Sequence, residues 1–268
     1  MPHPTSVDVG KMSNRRPDFR FSREHLELNQ IHNFQTRGAS ASSYFSPNTE
    51  SMSKTAEYLN LSTSIDADFQ SSLTAADALE LLKAGNQRFL SQSPNTRERT
   101  ALLEGAAKGQ APYAAVLGCI DSRAPIEEIF DAQIGDLFVA RVAGNTVNGD
   151  ILGSIEYACK YAGSKLVLVL GHSSCGAVKG AYAALKDGNL TGLLERIEPA
   201  VAPVREANGD NPSDEAIDTC VANNVRLVCD RIKQESEILA GLAADGSIAI
   251  VGGVYNVATG EVDFTVYS

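Results

Sequence analysis

The chain has 268 residues and a mass of 28.4 kDa, enough for one sizeable α/β domain, and its 43% hydrophobic content supplies a real core. A formal net charge of −10 and a pI near 4.9 argue against a nucleic-acid partner, whose phosphates need clustered Lys and Arg. No apolar run approaches the ~20 residues that span a bilayer, and five cysteines without dense regular spacing do not make a secreted disulfide framework.

Residues 1–72 show weak periodicity and many Ser, Asn, Pro and Arg, so a flexible or targeting arm is expected there. Residues 1–54 carry seven Lys or Arg against five Asp or Glu, whereas the remainder carries 16 against 28. A catalytic domain is therefore expected over 73–268. The opening residues lack the order of a secretory signal. The expected location is cytoplasmic, or an organelle stroma or matrix if the arm is a targeting peptide.

From Leu73 the pattern becomes regular. Thr74 is an N-cap candidate, and Ala78, Leu81, Leu82, Phe89 and Leu90 follow at helical spacing, which predicts an amphipathic first helix. Strands are predicted over 113–117, 137–142, 165–170, 247–251 and 262–267, with helices over 150–161, 177–186, 193–206 and 214–243. This alternation implies an α/β fold, a mainly parallel central sheet flanked by helices, with an N-terminal helical arm. Only residues 256–260 join the last two strands, so the final one is expected to be an antiparallel edge strand. Cys159 follows Ile151 and Ile155 at steps of four, on an apolar stripe. Cys220 and Cys229 stand about 13 Å apart along one predicted helix and cannot bond to each other.

Two segments put metal-grade ligands just past the C-terminal ends of buried strands, the edge at which open α/β sheets bind ligands. The first is Val116-Leu117-Gly118-Cys119-Ile120-Asp121-Ser122-Arg123; the second is Val169-Leu170-Gly171-His172-Ser173-Ser174-Cys175-Gly176. A catalytic zinc takes thiolate and imidazole, keeping three protein ligands and one open position. Cys119, His172 and Cys175 supply that number, for one zinc ion per chain. Taken singly, Cys119 also reads as a buried core thiol and His172 as a hydrogen-bonded histidine at a strand end. Their coincidence at two strand ends, beside Asp121 and Arg123, favours the metal. Gly176 opens a helical segment, so its N–H could meet an oxyanion; a tight turn is the other reason for a glycine there.

Cys-x-Asp-x-Arg followed by His-x-x-Cys-Gly resembles the β-class carbonic anhydrases. Gly135-Asp136-Leu137-Phe138-Val139-Ala140-Arg141, Gly144-Asn145, Ser154-Ile155-Glu156-Tyr157 and Gly85-Asn86-Gln87-Arg88-Phe89 strengthen the likeness, which runs from about Leu73 to the C-terminus. It implies zinc-dependent reversible hydration of carbon dioxide to bicarbonate and a proton by zinc-bound hydroxide. Asp121 and Arg123 become the catalytic pair. The likeness is closer to the plant-type subclass, in which Gln110 matches a substrate-binding glutamine and Phe138 and Tyr157 match apolar wall residues. These three are expected to face the metal of a neighbouring subunit in a homodimer or higher homo-oligomer. The chain has no Trp, so the inhibitory bicarbonate pocket of another subclass is not expected. Val142 departs from the Asn that many relatives carry. A competing reading makes Asp121 a fourth zinc ligand, and rival substrates are carbon disulfide and carbonyl sulfide. Of four histidines, His3, His25 and His32 fall in the arm and His172 is a proposed ligand. Tyr161 stands where plant-type relatives often have a histidine, which leaves proton export to external buffer.

Overall fold

The structure, a computed structural model, describes residues 49–267. Helices α1 (Thr49–Leu59) and α2 (Ala67–Ser71) precede α3 (Ala75–Leu90), the predicted amphipathic helix. The Thr74 hydroxyl accepts from the Asp77 N–H and the Asp77 carboxylate accepts from the Thr74 N–H, a reciprocal cap that fixes where α3 starts. Then come α4 (Arg99–Ala106), β1 (Ala114–Gly118), α5 (Ile126–Ile129), β2 (Leu137–Arg141), α6 (Gly149–Glu156), β3 (Leu166–His172), α7 (Gly176–Tyr182), α8 (Gly188–Glu195), α9 (Glu198–Asn208), α10 (Asp214–Glu235), α11 (Glu237–Ala244), β4 (Ala249–Tyr255) and β5 (Val262–Tyr267).

The strands form one sheet in the order β2-β1-β3-β4-β5, parallel except for β5, which runs antiparallel to β4 at the edge as expected. Successive residues of β3 point to opposite faces. Leu166, Leu168 and Leu170 join Tyr58, Leu81, Ile126 and Phe130, while Val167 and Val169 join Ile155, Val225, Val228 and Ile232. Both faces are therefore covered, as an all-apolar parallel strand requires, and each fully buried aliphatic side chain contributes about 1.5–3 kcal/mol. The connection leaving β1 runs to β2 on one side, and the connection leaving β3 runs to β4 on the other. That reversal opens a crevice at the C-terminal ends of β1 and β3, and the two ligand segments lie at those ends.

Departures from the predicted elements have local causes. The helix expected over 193–206 is two helices, because Pro199 fits the first turn of α9 but has no N–H with which to continue α8. The helix expected over 214–243 breaks at Ser236, whose hydroxyl caps α11 through the Leu239 N–H and donates to Glu156. The helix expected to reach Tyr161 is α-helical to Glu156, then widens into a π turn over Tyr157–Tyr161. Strand β4 continues to Tyr255 because Gly252 leaves room for Val225, which a Cβ would meet at 2.5 Å.

The described part of the expected arm, residues 49–72, is folded onto the sheet layers. Tyr58 and Phe69 are buried in the core with Ile65, and the Tyr58 hydroxyl donates to buried Asp136 at 2.7 Å. The packed unit therefore begins upstream of Leu73. These anchors are single aromatic and aliphatic residues without a repeating period, so periodicity gave no sign of them. Residues 1–48, with His3, His25 and His32, lie outside the described residues. No described helix is long and apolar enough to cross a membrane.

Candidate metal centre

Cys119 follows the last residue of β1, His172 ends β3, and Cys175 caps α7, so three elements of the crevice each deliver one donor. All three residues are buried, and their ligand atoms lie within 4.8 Å of one another. The two sulfurs are 4.0 Å apart. Two thiolates bound about 2.3 Å from one tetrahedral ion stand roughly 3.8 Å apart, so the spacing fits a shared zinc. His172 fits as well. Its Nδ1–H donates to the Ser173 carbonyl at 3.0 Å, which leaves Nε2 with its lone pair, buried and with no hydrogen-bond partner among the described residues. A buried orphan nitrogen beside two buried sulfurs is costly unless something electrophilic occupies the space between them.

The two sulfurs hold their protons unequally. Hydrogen bonding from the Cys175 thiol, helped by the Gly144 N–H, pulls Cys119 well below an ordinary thiol. Cys175 is pushed up in turn by its bond to Cys119 and by burial, opposed only by the N–H groups of Val178 and Ala177. Cys159 and Cys229 behave differently: burial pushes both up to about 12, away from the site.

Asp121 sits beside this trio, its Oδ2 3.8 Å from His172 Nε2. Arg123 grips it with a fork, Nε to Oδ1 at 2.9 Å and Nη2 to Oδ2 at 2.7 Å, while the Arg123 N–H adds a bond to Oδ1 at 2.9 Å. These bonds hold the Asp121 carboxyl well below the usual carboxylate range, Arg123 dominating. Arg123 also reaches the Ser174 carbonyl at 3.3 Å, tying the first ligand segment to the second. Arg141, at the end of β2, donates to the Cys119 carbonyl at 2.9 Å and to the Asp121 carbonyl at 2.6 Å. The loop bearing ligand and carboxylate is therefore braced from the neighbouring strand.

The sequence profile of the carbonic anhydrase family matches residues 114–262, more than half of the chain. Carbonic anhydrase 2 of Mycobacterium tuberculosis is 41% identical over 190 residues, covering 69% of this chain and 89% of that protein. The β-carbonic anhydrase CafA of Aspergillus fumigatus shares the fold, with a TM-score of 0.60 at 23% identity over 71% of this chain and 92% of that one. The chain belongs to the β-carbonic anhydrase family. Beta carbonic anhydrase 3 of Arabidopsis thaliana is 31% identical over 129 residues, 46% of this chain and 49% of that protein. A tetrameric β-carbonic anhydrase of Sordaria macrospora superposes with a TM-score of 0.58 at 24% identity, over 70% of this chain and 94% of that one.

As a β-carbonic anhydrase, the chain brings five of the residues expected from sequence together: Cys119, His172, Cys175, Asp121 and Arg123. Gly176 adjoins them at the start of α7, with open space where a Cβ would stand. Three others are elsewhere. Gln110 lies before β1, whose five residues span about 17 Å, and Cys119 lies after it. Phe138 pairs in register with Ala115, three rows below the Gly118–Arg141 row that adjoins Cys119. Tyr157 meets Phe138 edge-on, ring centroids 6.3 Å apart, and more than half of its surface is exposed. Within one chain, then, these three do not line the metal centre. A cavity of about 840 Å³ near Arg88, Glu128 and Tyr255 contains none of the site residues, so it is the chemistry of the donors that marks the centre. Sequence reasoning did not single out Arg141 as a brace or Asn224, a buried amide on α10 that donates to the Gly144 carbonyl at 2.8 Å. An asparagine within the apolar stripe of Cys220, Val221, Val225 and Val228 was the available signal.

Proposed function

We propose that Cys119, His172 and Cys175 hold one zinc ion and that Asp121 and Arg123 act beside it in the reversible hydration of carbon dioxide to bicarbonate and a proton. The observation that carries this reading is the buried, convergent Cys-His-Cys trio with an orphan imidazole nitrogen and a forked Asp–Arg pair at its rim. Zinc would supply acidified water, its pKa lowered to about 7 in a carbonic anhydrase whose ligands are three histidines. Two thiolates weaken that effect, so the protein must compensate with hydrogen bonds and positive charge. Ionised Asp121 can only accept hydrogen bonds. It would accept a hydrogen bond from the attacking O–H, leaving an oxygen lone pair directed at carbon, while Arg123 keeps the carboxylate turned to that task. Both Asp121 oxygens are engaged by Arg123, which favours this role over a fourth-ligand role.

The proton must then leave. Among the described residues His172 is the sole histidine, and Tyr161, mostly exposed and stacked on Tyr157 at 6.2 Å, offers a phenol where a proton shuttle is usually an imidazole. Stopped-flow hydration by the zinc-loaded protein should therefore rise with imidazole concentration, and Tyr161→His should lessen that rise. No hydration at any buffer concentration with zinc bound would overturn the proposed function.

The substrate-facing set is completed by a second copy of the chain. Gln110 precedes β1, Phe138 lies near the start of β2 and Tyr157 packs on Phe138, away from their own Cys119, which supports a role at a neighbour's site. Sedimentation is expected to give a dimer or larger assembly. A monomer that hydrates carbon dioxide at full rate would refute it.

A further inference from the structure

Gly144 lies in a short 3-10 turn after β2, at φ 67°, and donates its N–H to Cys119 Sγ at 3.3 Å. The turn is wedged: a Cβ on Gly144 would meet Ile197 Cδ1 at 2.5 Å and Ala177 Cβ at 3.2 Å. From α10, Asn224 donates its Nδ2–H to the Gly144 carbonyl at 2.8 Å. Asn224 is 1% exposed, and its Oδ1 has no partner among the described residues. Around it on the same helix are Cys220, Val221, Val225 and Val228, all buried. An amide held half-satisfied in an apolar stripe costs stability that an aliphatic residue of similar volume would not. Its single side-chain bond therefore has to be the reason for it.

We propose that Asn224 is a positioning residue for the Cys119 thiolate: it locks Gly144 so that the Gly144 N–H stays aimed at the sulfur. This rests on the zinc reading above. A hydrogen bond donated to a metal-bound thiolate withdraws electron density from sulfur and makes the metal a stronger electrophile, as outer-shell partners of other ligands tune their metals. Two thiolates need that correction more than imidazoles do. Cys119 stands at a strand end, outside any helix, and the Gly144 N–H donates to its sulfur. The bond from Gly144, fixed by Asn224 across 80 residues of sequence, fills that role.

The test uses the cobalt(II)-substituted protein, whose thiolate-to-metal charge-transfer band reports sulfur donor strength. Asn224→Leu keeps the volume and removes the donor; Asn224→Ser keeps a donor and loses volume. Both are expected to bind about one cobalt per chain. The band of Asn224→Leu should move to lower energy, and that of Asn224→Ser should lie between it and wild type. Hydration by the zinc forms should fall roughly 10-fold or more for Asn224→Leu. A purely packing role predicts the reverse order, with Leu nearer wild type. An unmoved band in a folded, cobalt-loaded Asn224→Leu would overturn the proposal, and failure of both variants to fold would overturn it too, making Asn224 a structural residue only. Wild type that takes up no cobalt would overturn the metal reading itself.

Discussion

Cys175→Ala is expected to lose both its zinc and nearly all hydration activity while remaining folded. The sulfur removed is one of two that stand 4.0 Å apart, and its loss leaves Cys119 and His172 as a two-ligand site. Removing an outer-shell partner of a metal ligand typically costs about 10–100-fold in affinity or activity, and loss of a ligand should exceed that range. The fold should survive because the donors are placed by strands and helices with their own apolar clusters, unlike a zinc finger whose only core is its metal. Thermal unfolding of the metal-free forms of wild type and variant should therefore agree closely. Cys159→Ala serves as the control, since Cys159 is buried in a different cluster and should keep its zinc. Elemental analysis after dialysis decides the matter. Full zinc retention in both Cys119→Ala and Cys175→Ala would sink the assignment.

The parts of this protein that were legible in its sequence are those whose information is contiguous. Each ligand segment follows a strand of unbroken apolar residues, so the run 166–170 announces both a doubly covered strand and the place where His172 and Cys175 emerge. Short connections announce themselves too: residues 256–260 leave room only for an antiparallel return, and β5 is antiparallel. What was not legible depends on contacts distant in sequence. Tyr58 reveals its place only through Asp136 and the ring of Tyr113, and no periodicity near residue 58 could show that. Asn224 is a polar residue in an apolar stripe that the sequence reading passed over, and its partner Gly144 is fixed by the packing of three separate elements. The roles of Gln110, Phe138 and Tyr157 came from family resemblance. The single chain places Phe138 three rows along the sheet from the Gly118–Arg141 row, with Tyr157 against it, away from its own Cys119.

Arg123→Ala is expected to keep its zinc and lose about 100-fold or more in hydration rate, the usual effect of removing an orienting contact at a reacting centre. Zinc should stay because Arg123 touches none of the three donor atoms; it bonds to Asp121 and the Ser174 carbonyl. The loss is one of orientation and not of charge. Arg123 lowers the Asp121 carboxyl from its ordinary range, so removing the guanidinium lets that pKa rise back toward the ordinary value of about 3.9, and Asp121 remains ionised at pH 7. What disappears is the two-pronged grip: the carboxylate would keep one backbone bond, from the residue 123 N–H to Oδ1, and could rotate about its side-chain torsions. Arg123→Lys should recover little of the rate, because an ammonium offers a point charge where the two oxygens need a planar fork. A freed Asp121 could also swing toward the cation and close the site, which lowers the rate in the same direction with zinc still bound. Zinc content and stopped-flow hydration measured on one preparation separate these terms from simple metal loss. Unchanged activity in Arg123→Ala with zinc bound would rule out the dyad.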